Sequence, residues 1–154
     1  MKVQATLNVN GTPYPIEIDP HLSLLRAVRD HIGLTGSKEG CDDSECGACM
    51  MLLDGKPVNS CSYLALQAEG REITTVEGLA EGGRLSALQD AFLQEGGVQC
   101  GFCTPGMLIS ATALLERLPD PSEEEIRIGL SGNLCRCTGY DGIVRAVRSA
   151  ATGG

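Results

Sequence analysis

The residues of this chain best placed to do chemistry are eight cysteines, and they fall into two sets of four. Cys41, Cys46, Cys49 and Cys61 follow the spacing C-x4-C-x2-C-x11-C. An opening C-x4-C-x2-C with a distant fourth cysteine is the plant-type pattern for a [2Fe–2S] cluster. Each iron takes two thiolates and the assembled cluster is an anion. A tight loop must therefore wrap it and aim backbone N–H groups at sulfur. Gly40 and Gly47 sit where such an approach needs them. Cys100, Cys103, Cys135 and Cys137 form the second set: C-x2-C, thirty-one residues, then C-x-C. Cys103 precedes a helix predicted to open at Thr104-Pro105, and Cys137 precedes one predicted from about Tyr140. Helix starts favour thiolates through the dipole and free N–H groups. Four cysteines also make a structural zinc site, so zinc is the alternative for both sets. Spacing alone leaves that alternative open at the second set. A Rieske centre needs two histidine ligands. His21 and His31 lie outside both motifs and read as ordinary surface or helix residues.

Other chemistries are not announced. No G-x-G-x-x-G follows a strand, no phosphate-binding loop motif is present, and no Ser-His-Asp set stands out. Asp42, Asp43 and Glu45 bring acid beside the first cysteine loop. They read either as a solvated loop or as charges that tune the cluster or face a partner.

The elements that must position these cysteines change character along the chain. Val3, Ala5, Leu7 and Val9 alternate with polar residues, Asn10-Gly11 marks a two-residue hairpin turn, and Tyr14, Ile16 and Ile18 alternate again. Ser23 caps a predicted short helix with Leu24, Leu25, Val28 and Ile32 on one face and Gly33 closing it. Met50 to Leu53 reads as a strand, Asp54-Gly55 as a second hairpin turn, Val58 as the start of the return, and 72–76 as a further strand. Strands crossed by one helix predict a small α+β domain. Glu77 to Arg84 is glycine-rich and predicts a linker. Beyond it the pattern is helical. Leu85, Leu88, Phe92 and Leu93 form one stripe. Thr104 is the expected N-cap of a helix with Pro105 at its first position, ended by Pro119 and Pro121. Ser122 and Glu125 form a capping-box pattern ahead of Ile126 and Leu130. A last helix carries Ile143, Val144 and Val147 and frays at Gly153-Gly154. Four helices predict a small bundle.

Bulk properties bound the rest. The chain has 154 residues, a formal net charge of −8, 42% hydrophobic residues and only 3% aromatics, with no Trp. An acidic surface repels a phosphate backbone, which argues against nucleic acid as a partner. So few aromatics make a thin core, and metal centres are candidate staples. No apolar run reaches the ~20 residues of a membrane span, and no secretory leader is legible at the N-terminus. The expected compartment is the cytoplasm, where disulfides are rare and eight cysteines point to metal or redox chemistry.

Three strings now carry a resemblance. They are Gly40-Cys41 through Cys46-Gly47-Ala48-Cys49, then Gln99-Cys100-Gly101-Phe102-Cys103-Thr104-Pro105-Gly106-Met107, then Gly132-Asn133-Leu134-Cys135-Arg136-Cys137-Thr138-Gly139-Tyr140. Together they resemble the small iron–sulfur subunit of molybdenum hydroxylases, the xanthine oxidase / aerobic carbon monoxide dehydrogenase family. The resemblance spans roughly Val3 to Val147. It implies an α+β chain, with a β-grasp ferredoxin-like domain over residues 1–77 and a helical four-helix-bundle domain over 78–154. Each domain would hold one [2Fe–2S] cluster, which displaces zinc at the second site. It further implies a large partner subunit carrying molybdopterin, often as the cytosine dinucleotide, and a medium partner carrying FAD. Electrons would leave the molybdenum for the helical-domain cluster, then the plant-type cluster, then FAD. Gln99 would hydrogen-bond the pterin. Cys137 would both ligate iron and lie against the pterin amino group. The substrate site would lie on the large subunit, and the assembly would be a dimer of heterotrimers.

Two positions depart from the family pattern. Many members have Gly where this chain has Ser44, and Thr-Val where it has Met50-Met51. Both read as packing variation that leaves the ligands intact. Two other readings compete: a freely diffusing two-cluster ferredoxin, and a zinc-stapled interaction module without redox function.

Overall fold

The computed structural model describes residues 1–151, so the predicted fraying at Gly153-Gly154 lies outside the described residues. The chain begins with the predicted hairpin, β1 (Val3–Val9) and β2 (Thr12–Ile18), in antiparallel register from Val3–Ile18 to Val9–Thr12. Asn10 and Gly11 both take positive φ (53° and 78°), the requirement of the tight turn that matches strand twist. β3 (Met50–Leu53) and β4 (Lys56–Asn59) form the second hairpin, again turned by two positive-φ residues, Asp54 and Gly55. β5 (Glu72–Thr74) joins the hairpins, parallel to β1 and antiparallel to β3. The strand order is β2-β1-β5-β3-β4. Both edge strands contain proline, Pro13 and Pro15 in β2 and Pro57 in β4, where a missing N–H costs no ladder bond.

Helix α1 crosses this sheet. It runs as α-helix over Leu24–Arg26 and widens to a π-helix over Ala27–Ile32. Ser23 caps it by accepting from the Arg26 N–H, and Gly33 closes it at φ 87°, both as predicted. Leu24, Leu25, Ala27 and Val28 are buried against Leu7, Val9, Ile18, Met51 and Ile73, and Ile32 packs at the margin. This mixed sheet with one helix across it is the predicted β-grasp arrangement.

The predicted linker is more structured than its glycines suggest. Val76–Leu79 forms a 3₁₀ turn whose Val76 and Leu79 pack on the helical core, and Glu77 accepts from the Gly36 N–H at 2.7 Å. Only Glu81–Arg84 forms a free-standing turn. Four helices follow among the described residues: α2 (Ala87–Gln94), α3 (Thr104–Arg117), α4 (Glu123–Gly129) and α5 (Asp141–Ala151). Their shared core is Leu88, Phe92, Met107, Ala111, Leu114, Ile126, Ile143 and Val147. The predicted stripe on α2 is corrected. Leu88, Ala91 and Phe92 point inward, while Leu93 (60% exposed) lies a further 100° round and Leu85 (46%) precedes the cap. Ser86 and Gln89 close a capping box, as do Ser122 and Glu125. Ser86→Ala is expected to lower stability by about 1 kcal/mol. A reduced urea midpoint with unchanged slope would show it. No described helix is long and apolar enough to cross a membrane.

The two halves share a third apolar contact. Met51 and Leu53 of β3 face the sheet–helix core, whereas Met50 and Leu52 face Ile109 of α3, with Leu79 and Ala113 at the rim. β3 is therefore buried on both faces, which is why four consecutive apolar residues occupy it. Burying each large side chain there contributes roughly 2 kcal/mol, an upper figure. That contact sets the helical half against the cysteine loop.

Candidate metal centres

The first cysteine loop runs from Gly40 into β3. Its backbone turns inward: the Cys46 N–H donates to Cys41 Sγ at 3.4 Å and the Ala48 N–H to Cys46 Sγ at 3.5 Å. Cys41 and Cys46 lie against each other, as do Cys49 and Cys61. A Cβ at Gly40 would stand 3.1 Å from Cys46 Sγ and 3.2 Å from Phe102, so glycine there keeps room for sulfur. Ser44 is not simply a packing variant. It holds φ 65°, a left-handed conformation natural to glycine, and is tied down by hydrogen bonds to Ser62 Oγ (2.6 Å) and from Asn59 Nδ2 (3.3 Å). Met50 and Met51 are buried strand residues, as expected. Asp42, Asp43 and Glu45 are exposed, as are His21 and His31.

The second centre is assembled from two loops distant in sequence. Cys103 pairs with Cys135, and Cys100 with Cys137, so each pair joins the two motifs. Cys135 Sγ receives the Thr138 N–H at 3.5 Å and lies 3.1 Å from Thr138 Oγ1. Thr104 is not the N-cap. A tight turn from Gly101 (φ 83°) returns the Thr104 N–H to the Gly101 carbonyl and puts Cys103 in the cap position with helical φ and ψ. Thr104 becomes the first helical residue, and its buried hydroxyl has no partner.

The thiols divide by burial. Burial pushes Cys49 up to about 11 and Cys103 up to about 12, and it also raises Cys46. The helix start therefore does not lower Cys103 as the sequence predicts. Desolvation of the thiolate outweighs the dipole. Cys135 is the exception: burial opposes ionisation, but the hydrogen bonds from the Thr138 side chain and backbone bring it below the ordinary thiol value. Cys41 is lowered by backbone hydrogen bonding from Asp43 and then Cys46, while contact with Cys100 raises Cys137. At Cys49 and Cys103 it is metal binding that must drive deprotonation, so loading releases protons.

The donor sets fit two-iron clusters. In both centres the sulfurs face one another in pairs, as two thiolates per iron require. Residues 7–80 match the 2Fe-2S iron–sulfur cluster binding domain family, and residues 75–148 match a second [2Fe-2S] binding domain family. The chain is 52% identical to the nicotinate dehydrogenase small FeS subunit of Eubacterium barkeri, over 97% of this chain and 95% of that one.

This chain is an iron–sulfur subunit of the molybdenum hydroxylase family. Solved structures agree. A chain of quinoline 2-oxidoreductase from Pseudomonas putida 86 superimposes with a TM-score of 0.93 at 47% identity, covering 99% of this subunit and 98% of that chain. Aldehyde oxidoreductase from Desulfovibrio gigas matches with a TM-score of 0.91 at 42% identity, over 97% of this subunit but only 17% of that longer chain. The subunit carries two [2Fe–2S] clusters and is an electron-transfer subunit of a molybdenum-dependent oxidoreductase.

The structure also gives Asn133, Leu134 and Gly106 roles that the sequence does not announce. The Asn133 side chain is buried and donates to the Gly47 carbonyl at 3.1 Å, and the Leu134 N–H donates to the Cys46 carbonyl at 2.9 Å. A Cβ on Gly106 would land on the Gly47 carbonyl oxygen. The two cysteine loops thus touch backbone to backbone. Gln99, Cys100, Phe102, Leu134 and Cys137 are exposed. Asn133 stands inside the third cysteine string, but nothing in the sequence marks it as buried or names its partner.

Proposed function

We propose that the subunit passes electrons from a molybdopterin centre on a large partner subunit to FAD on a medium partner, or to another acceptor. Cys100, Cys103, Cys135 and Cys137 hold the receiving cluster, and Cys41, Cys46, Cys49 and Cys61 hold the delivering one. When bound, each cluster takes and gives one electron at a potential set by charge, burial and hydrogen bonds to sulfur. The observation that carries the reading is the contact between the loops, where Leu134 and Asn133 donate to the carbonyls of Cys46 and Gly47. A freely diffusing ferredoxin has no use for exposed Gln99 and Cys137 beside its second centre. A relay uses them to meet the pterin, with Gln99 as hydrogen-bonding group and Cys137 as the ligand nearest it. The domain boundary falls at 77/78, and two copies of a three-subunit complex make up the assembly.

The test begins with native purification. Iron for both clusters, with molybdenum in a copurifying larger chain, is the expected result. Zinc in place of half the iron, or no molybdenum-bearing partner, overturns it. Gln99→Ala is expected to reduce retained molybdopterin and turnover while both cluster signals persist in EPR. Unchanged pterin content would remove Gln99 from the pterin site.

A further inference from the structure

The loop from Cys135 to Tyr140 is closed by its own side chains. The Cys135 N–H donates to the Tyr140 hydroxyl at 3.0 Å, and the Tyr140 N–H donates to Thr138 Oγ1 at 3.2 Å. Gly139 and Tyr140 both take positive φ, 64° and 71°. Tyrosine rarely adopts that conformation, so the loop is held in a shape the backbone does not prefer. The result is a fixed position for the Thr138 hydroxyl, 3.1 Å from Cys135 Sγ.

The direction of that contact follows from counting protons. Thr138 Oγ1 already accepts the Tyr140 N–H, and a hydroxyl has one proton to give. A thiolate bound to iron has none. The hydroxyl therefore donates to sulfur, alongside the Thr138 N–H at 3.5 Å. No other cysteine among the described residues receives both a hydroxyl and an N–H from one residue within these distances. In the first centre Ser44 Oγ lies 4.0 Å from Cys61 Sγ and makes its shorter contact with Ser62 at 2.6 Å, while the Ser60 hydroxyl beside Cys49 donates to the Cys49 carbonyl at 2.6 Å.

We propose that Thr138 is a tuning residue for the helical-domain cluster, its hydroxyl holding that cluster's reduction potential above the value the thiolates alone would set. This rests on Cys135 being an iron ligand. A hydrogen bond to a ligating sulfur stabilises the electron-rich, reduced cluster more than the oxidised one. Reduction becomes easier, and the centre that first receives electrons becomes a better acceptor. The Thr138 hydroxyl lies against a sulfur of the second set, so its own effect falls on the helical-domain cluster.

The test is a redox titration of the purified complex followed by EPR, with the first cluster as internal reference. Thr138→Val keeps the branched shape and removes the donor. Its expected effect is about tenfold on the reduction equilibrium of the helical-domain cluster, ~59 mV more negative for one electron. The first cluster should not move. Thr138→Ser should restore the wild-type potential, which a purely structural role for the threonine methyl would not allow. Cys135→Ser identifies the signal by abolishing it. If that signal is lost in Cys135→Ser but unmoved in Thr138→Val, the tuning role is overturned while the ligand assignment stands. If Cys135→Ser keeps both signals, the assignment and the inference fall together.

Discussion

Cys103→Ser is expected to remove the helical-domain cluster, halve the iron bound by the chain, and reduce turnover of the complex to background. Cys103 is at once the N-cap residue of α3, a partly buried member of the helical core, and the facing partner of Cys135. Serine keeps the size but offers a hard oxygen whose ionisation is less favourable than that of a thiol already pushed up to about 12 by burial. Loss of the cluster also unlinks two loops separated by thirty-one residues. Part of the metal's binding energy is folding energy, so the melting temperature should fall too. Iron analysis and EPR decide the matter, with the plant-type signal expected to remain. Full iron content in the variant would remove Cys103 from the ligand set.

Gly106→Ala is expected to destabilise the chain strongly for a single added methyl. The added Cβ would meet the Gly47 carbonyl oxygen and come within 3.2 Å of Ala48 Cα, both backbone and neither able to rotate away. The start of α3 must then withdraw from the first cysteine loop. That movement lengthens the bonds from Asn133 to Gly47 and from Leu134 to Cys46. Overpacking of this kind costs about 1–3 kcal/mol, and the weakened bond from Asn133 adds about 1 kcal/mol, the Gly47 carbonyl keeping the Met50 N–H at 3.2 Å. Thermal unfolding should show the loss, and magnetic coupling between the two reduced clusters should weaken as the loops part. Gly132→Ala is the control: no atom lies within 4 Å of its Cβ and its φ is not in the left-handed region, so its effect should be small. Equal melting temperatures for the two variants would show that the interdomain contact does not set the spacing.

Local features were legible where a few adjacent residues decide the conformation. The turns at Asn10-Gly11 and Asp54-Gly55, the Ser23 cap with Gly33, and the Ser122–Glu125 box follow from chemistry within four residues, and the structure has them where the pattern puts them. Misreadings arose where a distant contact competes. Leu93 matched a helical stripe by composition but lies off the buried arc that Leu88 and Phe92 define. Thr104 had the chemistry of an N-cap, yet the turn from Gly101 passed that position to Cys103. The supposed linker is half anchored because Val76 and Leu79 found apolar partners on the helices.

Cysteine spacing by itself determined that this protein carries two centres, one in a strand-rich half and one in a helical half, because loop length limits which thiols reach one cluster. Spacing did not determine which sulfur faces which. Cys100 meets Cys137 and Cys103 meets Cys135 only once α3 and α5 share a core. Nor did the string Met50-Met51-Leu52-Leu53 announce that its two faces serve two different cores. The meeting of the cysteine loops was likewise decided by tertiary packing, through Asn133, Gly47 and Gly106. A bond between residues eighty-six positions apart leaves no periodic trace in sequence, since either residue alone is compatible with many loops and only the docked backbones select both.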